Sequence, residues 1–148
     1  MLASVRKNLG LRPWWMNGIF LFCAFMSFVY LPWDVFVKPL AEDQEVWFGV
    51  LFTGWAAKVG AIAHWFVYGA GFYGLLKMKP WLHPWAALYV FQIALGMFVW
   101  SAFDERGSGL ISGALVALPF IALAIALLRA KHRFGAGPAN SADGAQKE

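Results

Sequence analysis

A lysine and a histidine lie six residues apart in the stretch GWAAKVGAIAHW, residues 54–65, which holds no other ionisable group. Lys58 offers a cation to an acid or an anion, and His64 offers a ring nitrogen that exchanges a proton near neutral pH. On an α-helix, six residues turn two side chains about 120° apart. We therefore expect no Lys–His dyad, and we expect His64 to be neutral and to hydrogen-bond to a neighbouring helix.

Lys58 needs a partner, because a cation at the centre of a bilayer costs about 3 kcal/mol. The groups available to it are three acids near segment ends and one amide: Asp34, Asp104, Glu105 and Gln92. One interpretation is a buried ion pair or an anion-binding lysine in an outward-opening cavity, with Trp55 and Trp65 as its walls. The other is a lysine that only extends its charge toward the surface, or a neutral one held by a structural hydrogen bond.

The remaining chemistry is sparse. Cys23 is the single cysteine, so no intramolecular disulfide forms. The sequence contains no HxxxH, ExxH or CxxC spacing, and therefore predicts neither a metal centre nor a cofactor. No serine–histidine or carboxylate pair lies within the apolar segments, which weighs against hydrolysis and favours a non-catalytic protein.

The elements that position these residues are four long apolar segments. Of the 148 residues, 61% are hydrophobic and 14% charged, whereas soluble domains are about half apolar and a quarter charged. About 20 helical residues cross a bilayer, so the sequence predicts an all-α polytopic membrane protein, a four-transmembrane-helix bundle. The predicted spans are 14–31, 46–76, 85–103 and 110–128. The second span is too long to cross upright, and its glycines favour a bend.

Charges between the spans predict the orientation. Basic residues flank one set of span ends: Arg6, Lys7, Arg12, Lys77, Lys79, Arg129, Lys131 and Arg133. Acids occupy the other set: Asp34, Glu42, Asp43, Glu45, Asp104 and Glu105. The positive-inside rule therefore places both termini in the cytoplasm, and we expect a multi-pass protein of a bacterial plasma (inner) membrane. The basic residues form no stripe on a soluble face, so no nucleic-acid partner is expected.

We expect a single transmembrane domain over residues 1–133, followed by a disordered cytoplasmic tail over 134–148. Asp34 and Lys38 are spaced to pair at i, i+4. The acids that precede the second span suit a helix N-terminus through the macrodipole. Small residues of that span lie near one stripe and predict close helix packing: Gly49, Ala56, Gly60, Ala63, Ala70 and Gly74.

The stretches VWFGVLF, KMKPWLHPWAALYVFQ and FDE follow one another in this chain. Their order resembles the sterol-isomerase (EXPERA) fold, a four-span architecture with an aromatic-rich second helix, over about half the chain. The resemblance implies carboxylates inside the bundle. The matching positions here hold Gly54, Trp55 and Lys58, so that family's activity is not carried over.

Two functions follow from these observations. The first is a non-catalytic accessory, assembly or sensor component that packs through its helices against the lipid bilayer and against a membrane-protein partner or a second copy. The second is a membrane-embedded binder, transporter or isomerase of a lipophilic or anionic small molecule. Its site would be formed by Lys58, Trp55, Trp65, His64, Asp34, Gln92 and Asp104.

Overall fold

The computed structural model describes residues 8–135 and is mostly helical. Within those residues, four helices are long and apolar enough to cross a membrane. They are α1 (Trp14–Phe36), α2 (Gly54–Leu76), α3 (Leu82–Phe103) and α4 (Leu110–Arg129), the last followed by a 3-10 turn over Ala130–Arg133. The chain thus has the four-helix architecture expected from its apolar segments.

Helix α1 extends beyond the span predicted for residues 14–31. It begins after Pro13 and passes through a π-helical segment, Met26–Tyr30, before it ends at Phe36. Pro32 lies two residues after this segment. A proline inside a helix lacks an N–H and collides with the carbonyl four residues earlier, and a wider turn accommodates both effects. The extension is consequential because it places Asp34 inside the helix.

The second span was predicted as one apolar segment from Val46 to Leu76, and that prediction is wrong at its start. A β-hairpin occupies its first part, with β1 (Gln44–Trp47) antiparallel to β2 (Val50–Thr53) and Trp47 opposite Val50. Both turn residues have positive φ, 53° at Phe48 and 85° at Gly49. Such two-residue turns match the twist of paired strands, so the hairpin forms and α2 begins only at Gly54.

The four helices form two pairs. Helix α1 packs on α2, where the rings of Phe20 and Phe72 stack with centroids 5.1 Å apart. Helix α3 packs closely on α4, since Gly113 lets α4 approach the backbone of Phe98. Helices α2 and α3 have few direct contacts. The two pairs are therefore held together mainly at their ends.

At one end, called here the hairpin end, the β-hairpin packs against α3. Gly49 meets the Val99 side chain so closely that a Cβ on Gly49 would collide with it. At the other end, called here the loop end, residues 77–81 connect α2 to α3 and a cluster of apolar side chains is buried: Met16, Leu75, Met78, Leu82, Leu127 and Phe134. Arg12 is buried beside this cluster and donates a 2.6 Å hydrogen bond to the Leu75 carbonyl.

Phe134 corrects the predicted domain boundary. We expected a disordered tail from residue 134, but Phe134 is only 8% exposed, and the Gly135 N–H donates a 2.7 Å hydrogen bond to the Met78 carbonyl. The folded domain therefore includes the first two residues of the predicted tail. The rest of that tail, residues 136–148, lies outside the described residues.

The outer faces of the helices are apolar. Phe66 of α2 is 76% exposed and Ile111 of α4 is 78% exposed, with many further large apolar side chains around them. Monomeric soluble proteins rarely expose continuous apolar surfaces of this kind. The exposed apolar side chains thus agree with the finding that the four helices are long and apolar enough to cross a membrane.

Candidate functional site

Lys58 lies in a closed cluster of charges at the hairpin end. Its ammonium is 3.0 Å from Oδ2 of Asp43 and donates to two backbone carbonyls, those of Asp34 and Lys38. The side chain is only 8% exposed. The cation that looked isolated in the sequence therefore has three oxygen partners.

Lys38 completes this ion cluster, defined as Asp34, Lys38, Asp43 and Lys58. Its ammonium lies 3.0 Å from Oδ1 of Asp34 and 2.9 Å from Oδ1 of Asp43. Both aspartates are 1% exposed. Two carboxylates and two ammonium groups alternate, so the buried charges compensate one another and no anion is needed for neutrality.

The surroundings shift the proton equilibria of this cluster. Burial would raise the pKa of Asp43, but the hydrogen bonds and charges of Lys38 and Lys58 outweigh burial and hold the pKa below its ordinary value. Burial would lower the pKa of Lys38, yet its hydrogen bonds with Asp43 and Asp34 raise the pKa above its ordinary value. Both groups thus keep their charges through the neutral range.

The i, i+4 pair of Asp34 and Lys38 is confirmed. Asp34 meets Lys58 through its carbonyl, whereas the carboxylate that pairs with Lys58 belongs to Asp43. The sequence analysis missed Asp43 as a partner because it assigned that residue to the N-terminus of a helix. Asp43 directly follows the short helical turn Leu40–Glu42. Its approach to Lys58 is visible only in three dimensions.

The other expected partners of Lys58 lie elsewhere. Asp104 pairs with Arg106 at 3.0 Å, and this Arg106 contact lowers the pKa of Asp104. Trp55 is 75% exposed on the outside of α2. The Trp65 indole N–H donates a 2.8 Å hydrogen bond to the Ser27 carbonyl. Within residues 8–135, none of these three side chains forms a hydrogen bond or an ion pair with the ion cluster.

His64 occupies a second polar position, formed with strand β1. Its Nδ1 is 3.1 Å from Oε2 of Glu45, and its ring stacks on the indole of Trp47 with centroids 4.1 Å apart and planes at 11°. The expected hydrogen bond to a neighbouring helix is thus a contact with the hairpin. The correction follows from the hairpin itself, which places Glu45 and Trp47 over α2.

A cavity of about 620 Å³ lies between the two helix pairs. All four helices contribute to its lining, which is almost wholly apolar and includes Phe22, Gly71, Trp85, Tyr89, Phe120 and Leu123. Small residues such as Gly18 and Ala70 leave this volume free, since a Cβ on Gly18 would meet no atom within 4 Å. Ligand pockets span about 300–1,000 Å³, so the cavity has the size of a ligand site.

A smaller cavity of about 190 Å³ adjoins it toward the hairpin end. Its lining includes His64, Gln92, Met97 and Val46 of β1, and it shares Tyr68, Tyr89 and Ile93 with the larger cavity. This cavity therefore brings together the predicted site residues His64 and Gln92, as the ion cluster brings together Lys58 and Asp34. Lys58 and Asp34 line neither of these two cavities.

Among residues 8–135, no group of three or more His, Cys, Asp and Glu side chains is arranged to hold a metal ion. Comparisons with protein families, with curated proteins and with solved structures find no match to this chain. Its function must therefore be argued from the cavities and the charges themselves.

Proposed function

We propose that this protein is a multi-pass membrane protein that binds a lipophilic small molecule between its two helix pairs. The observation that carries the proposal is the apolar cavity of about 620 Å³. A water molecule needs two to four polar partners, which an apolar lining does not offer. Such a cavity therefore favours apolar molecules. Burial of apolar ligand surface supplies the affinity.

Insertion in a membrane is supported by the apolar outer faces of four helices that can each cross a bilayer. The orientation follows from the charges at the two ends. The loop end carries the basic residues Arg12, Lys77, Lys79, Arg129, Lys131 and Arg133, and the hairpin end carries Glu42, Asp43, Glu45, Asp104 and Glu105. The positive-inside rule then directs the loop end and both termini to the cytoplasm of a bacterial plasma membrane.

This proposal differs from a site built on Lys58. The Lys58 ammonium already has a carboxylate and two carbonyls within reach, so an anion would have to displace Asp43. The accessory role relied on a stripe of small residues, and three of these already contact the chain's own side chains: Gly49 meets Val99, Gly60 meets Trp47 and Gly74 meets Leu82. Neither observation opposes a ligand in the apolar cavity.

A photocrosslinking experiment tests the proposal. The full chain is reconstituted into phosphatidylcholine vesicles and exposed to a diazirine-tagged hexadecanol, and the adducts are located by mass spectrometry. We expect saturable adducts on partly buried residues that line the cavity, such as Ile19, Val90 and Leu123, and competition by untagged hexadecanol.

Two substitutions make this result specific. Ala86 lines the cavity, whereas Ala56 lies exposed on α2. Ala86→Trp should fill the cavity and abolish the saturable adducts, and Ala56→Trp, which adds the same indole outside, should leave them unchanged. Adducts spread evenly over the outer faces of the helices, without saturation, would overturn the proposed function.

A further inference from the structure

The two cavities adjoin and have unlike linings. Tyr68, Tyr89 and Ile93 belong to both linings and therefore lie between the cavities. The larger part offers almost only carbon, while the smaller part includes the imidazole of His64 and the amide of Gln92. The shape suits a molecule with an apolar body and one polar end.

The polar end contains an acceptor that lacks a partner. Oε1 of Gln92 is buried and has no hydrogen-bond partner within residues 8–135, although buried polar atoms almost always have one. The Tyr89 hydroxyl belongs to the same lining and lies within hydrogen-bonding range of Tyr68. A donor that enters the smaller cavity would satisfy the Gln92 oxygen.

His64 lies in the same lining. A carboxylate only accepts hydrogen bonds, so Nδ1 of His64, 3.1 Å from Oε2 of Glu45, is the nitrogen that can donate to it. The stacked Trp47 ring fixes the imidazole plane. His64 is thus held in one orientation at the polar end of the site.

Size and charge narrow the class of that molecule. At about 190 Å³, the smaller cavity slightly exceeds the roughly 150 Å³ cavity that accommodates benzene. One six-membered ring with a small substituent fits there. Its lining contains no lysine or arginine, so a phosphate or carboxylate head group would lie there without a counter-charge, at a large desolvation cost.

We propose that the ligand is a neutral lipophile whose polar end is a single hydroxylated ring. The ring occupies the smaller cavity, which it reaches between the side chains shared by the two linings, and its hydroxyl donates to Oε1 of Gln92 and accepts from the Tyr89 hydroxyl. The apolar remainder fills the larger cavity. This inference rests on the proposed function, because it assigns the chemical class of the molecule bound there.

The test compares two probes that differ by one hydroxyl, 4-nonylphenol and nonylbenzene. Each competes with the diazirine-tagged hexadecanol in phosphatidylcholine vesicles that contain the full chain, and concentrations are expressed per mole of lipid. We expect nonylphenol to displace the tagged probe at about a tenfold lower concentration, as one well-paired buried hydrogen bond allows.

Substitutions then locate the hydroxyl. Tyr89→Phe removes a hydroxyl from the lining of the smaller cavity, and Gln92→Leu replaces an amide by an apolar group of similar size. Each should reduce the tenfold preference by at least threefold through weaker displacement by nonylphenol. The matched control is Tyr73→Phe, since Tyr73 lies 50% exposed away from both linings and should keep the full preference.

Equal displacement by the two probes in the parent protein would overturn this inference while leaving the proposed function intact. A preference that survives both Tyr89→Phe and Gln92→Leu would also overturn it. A parent protein with no saturable crosslink to displace would instead overturn the proposed function.

Discussion

Lys58 and Asp43 are fifteen residues apart in the sequence, yet the ammonium of one lies 3.0 Å from a carboxylate oxygen of the other. The contact joins the chain before the hairpin to the first turns of α2. Lys38 and Asp34 extend it to the end of α1. The ion cluster therefore fixes the hairpin end of the α1–α2 pair and leaves the cavity between the pairs separate.

Removing the Lys58 charge should destabilise the protein. In Lys58→Met the buried carboxylates of Asp34 and Asp43 keep only Lys38 as a counter-charge. Breaking a buried ion pair by losing one partner costs about 3–5 kcal/mol. Because Lys38 remains, we expect the free energy of unfolding to fall by about 3 kcal/mol. The measurement is the free energy of unfolding in mild detergent.

The matched control for Lys58 is Lys77→Met, because Lys77 is exposed at the loop end and should change stability by less than about 0.5 kcal/mol. The double variant Lys58→Met with Asp43→Leu removes one charge of each sign and should recover part of the loss. Crosslinking in the apolar cavity should persist in Lys58→Met. Its disappearance from a folded variant would restore Lys58 as a ligand-binding residue.

The ion cluster should also make stability depend on pH. The folded-state pKa of Asp43 lies below its ordinary value, which is about 3.9 in unfolded chains. Its contribution is therefore complete above that pH and is lost as the pH falls through the folded-state pKa. Lys38 behaves in the opposite sense: its raised pKa gives a contribution that is complete below about pH 10.4 and is lost at higher pH.

This dependence is checked by the melting temperatures of the parent and of Asp43→Asn, measured at intervals between about pH 2 and pH 7. The difference between them should be largest above about pH 4 and should shrink on acidification. A difference that stays constant over this range would show that the pKa of Asp43 does not change on folding.

The hairpin turn requires glycine at position 49. Its φ of 85° is unfavourable for other residues, and an added Cβ would collide with Val99. Gly49→Ala should therefore lower the free energy of unfolding by about 2 kcal/mol or more. Gly69→Ala is the control, since a Cβ there meets nothing within 4 Å in a helix and should stabilise by up to about 1 kcal/mol. Equal effects of the two substitutions would contradict the turn assignment.

The four helices were predictable because each apolar segment has about the length needed to cross a bilayer, or more. The hairpin was not, because hydropathy alone treats Val46 and Leu51 like any other apolar residues. The signals that identify it are the alternation in QEVWFGVLFT and the glycine at the turn. The apolar run of residues 46–53 concealed both, since short apolar segments leave helix and strand ambiguous.

For the candidate site, the sequence indicated what single residues need chemically, but it did not indicate which residues lie next to them. It required a partner for Lys58, and a partner exists. It could not identify Asp43, because the fold of residues 37–53 decides which acid returns to α2. His64 and Gln92 were both proposed as ligand-binding residues. The cavity that they share depends on the distance between α2 and α3, which no local sequence pattern predicts.

Reporter fusions check the orientation. A green fluorescent protein fused after Arg133 should fluoresce, because we expect the loop end in the cytoplasm. An alkaline phosphatase fused after Arg106, at the hairpin end, should be active, because that enzyme needs an oxidising compartment. The reverse pair of results would invert the proposed orientation, and phosphatase activity at both positions would contradict four crossings.

Occupation of the apolar cavity should raise stability in proportion to the ligand present. A molecule that binds only the folded state stabilises it by about 2.7 kcal/mol at one hundred times its Kd. Addition of 4-nonylphenol should therefore raise the melting temperature of the parent and of Ala56→Trp, whose indole lies outside the cavity. The same addition should leave Ala86→Trp unchanged, because that indole takes the space of the ligand. An equal rise of the melting temperature in all three proteins would show that nonylphenol acts through the detergent or the outer helix faces, and not through the cavity between the two helix pairs.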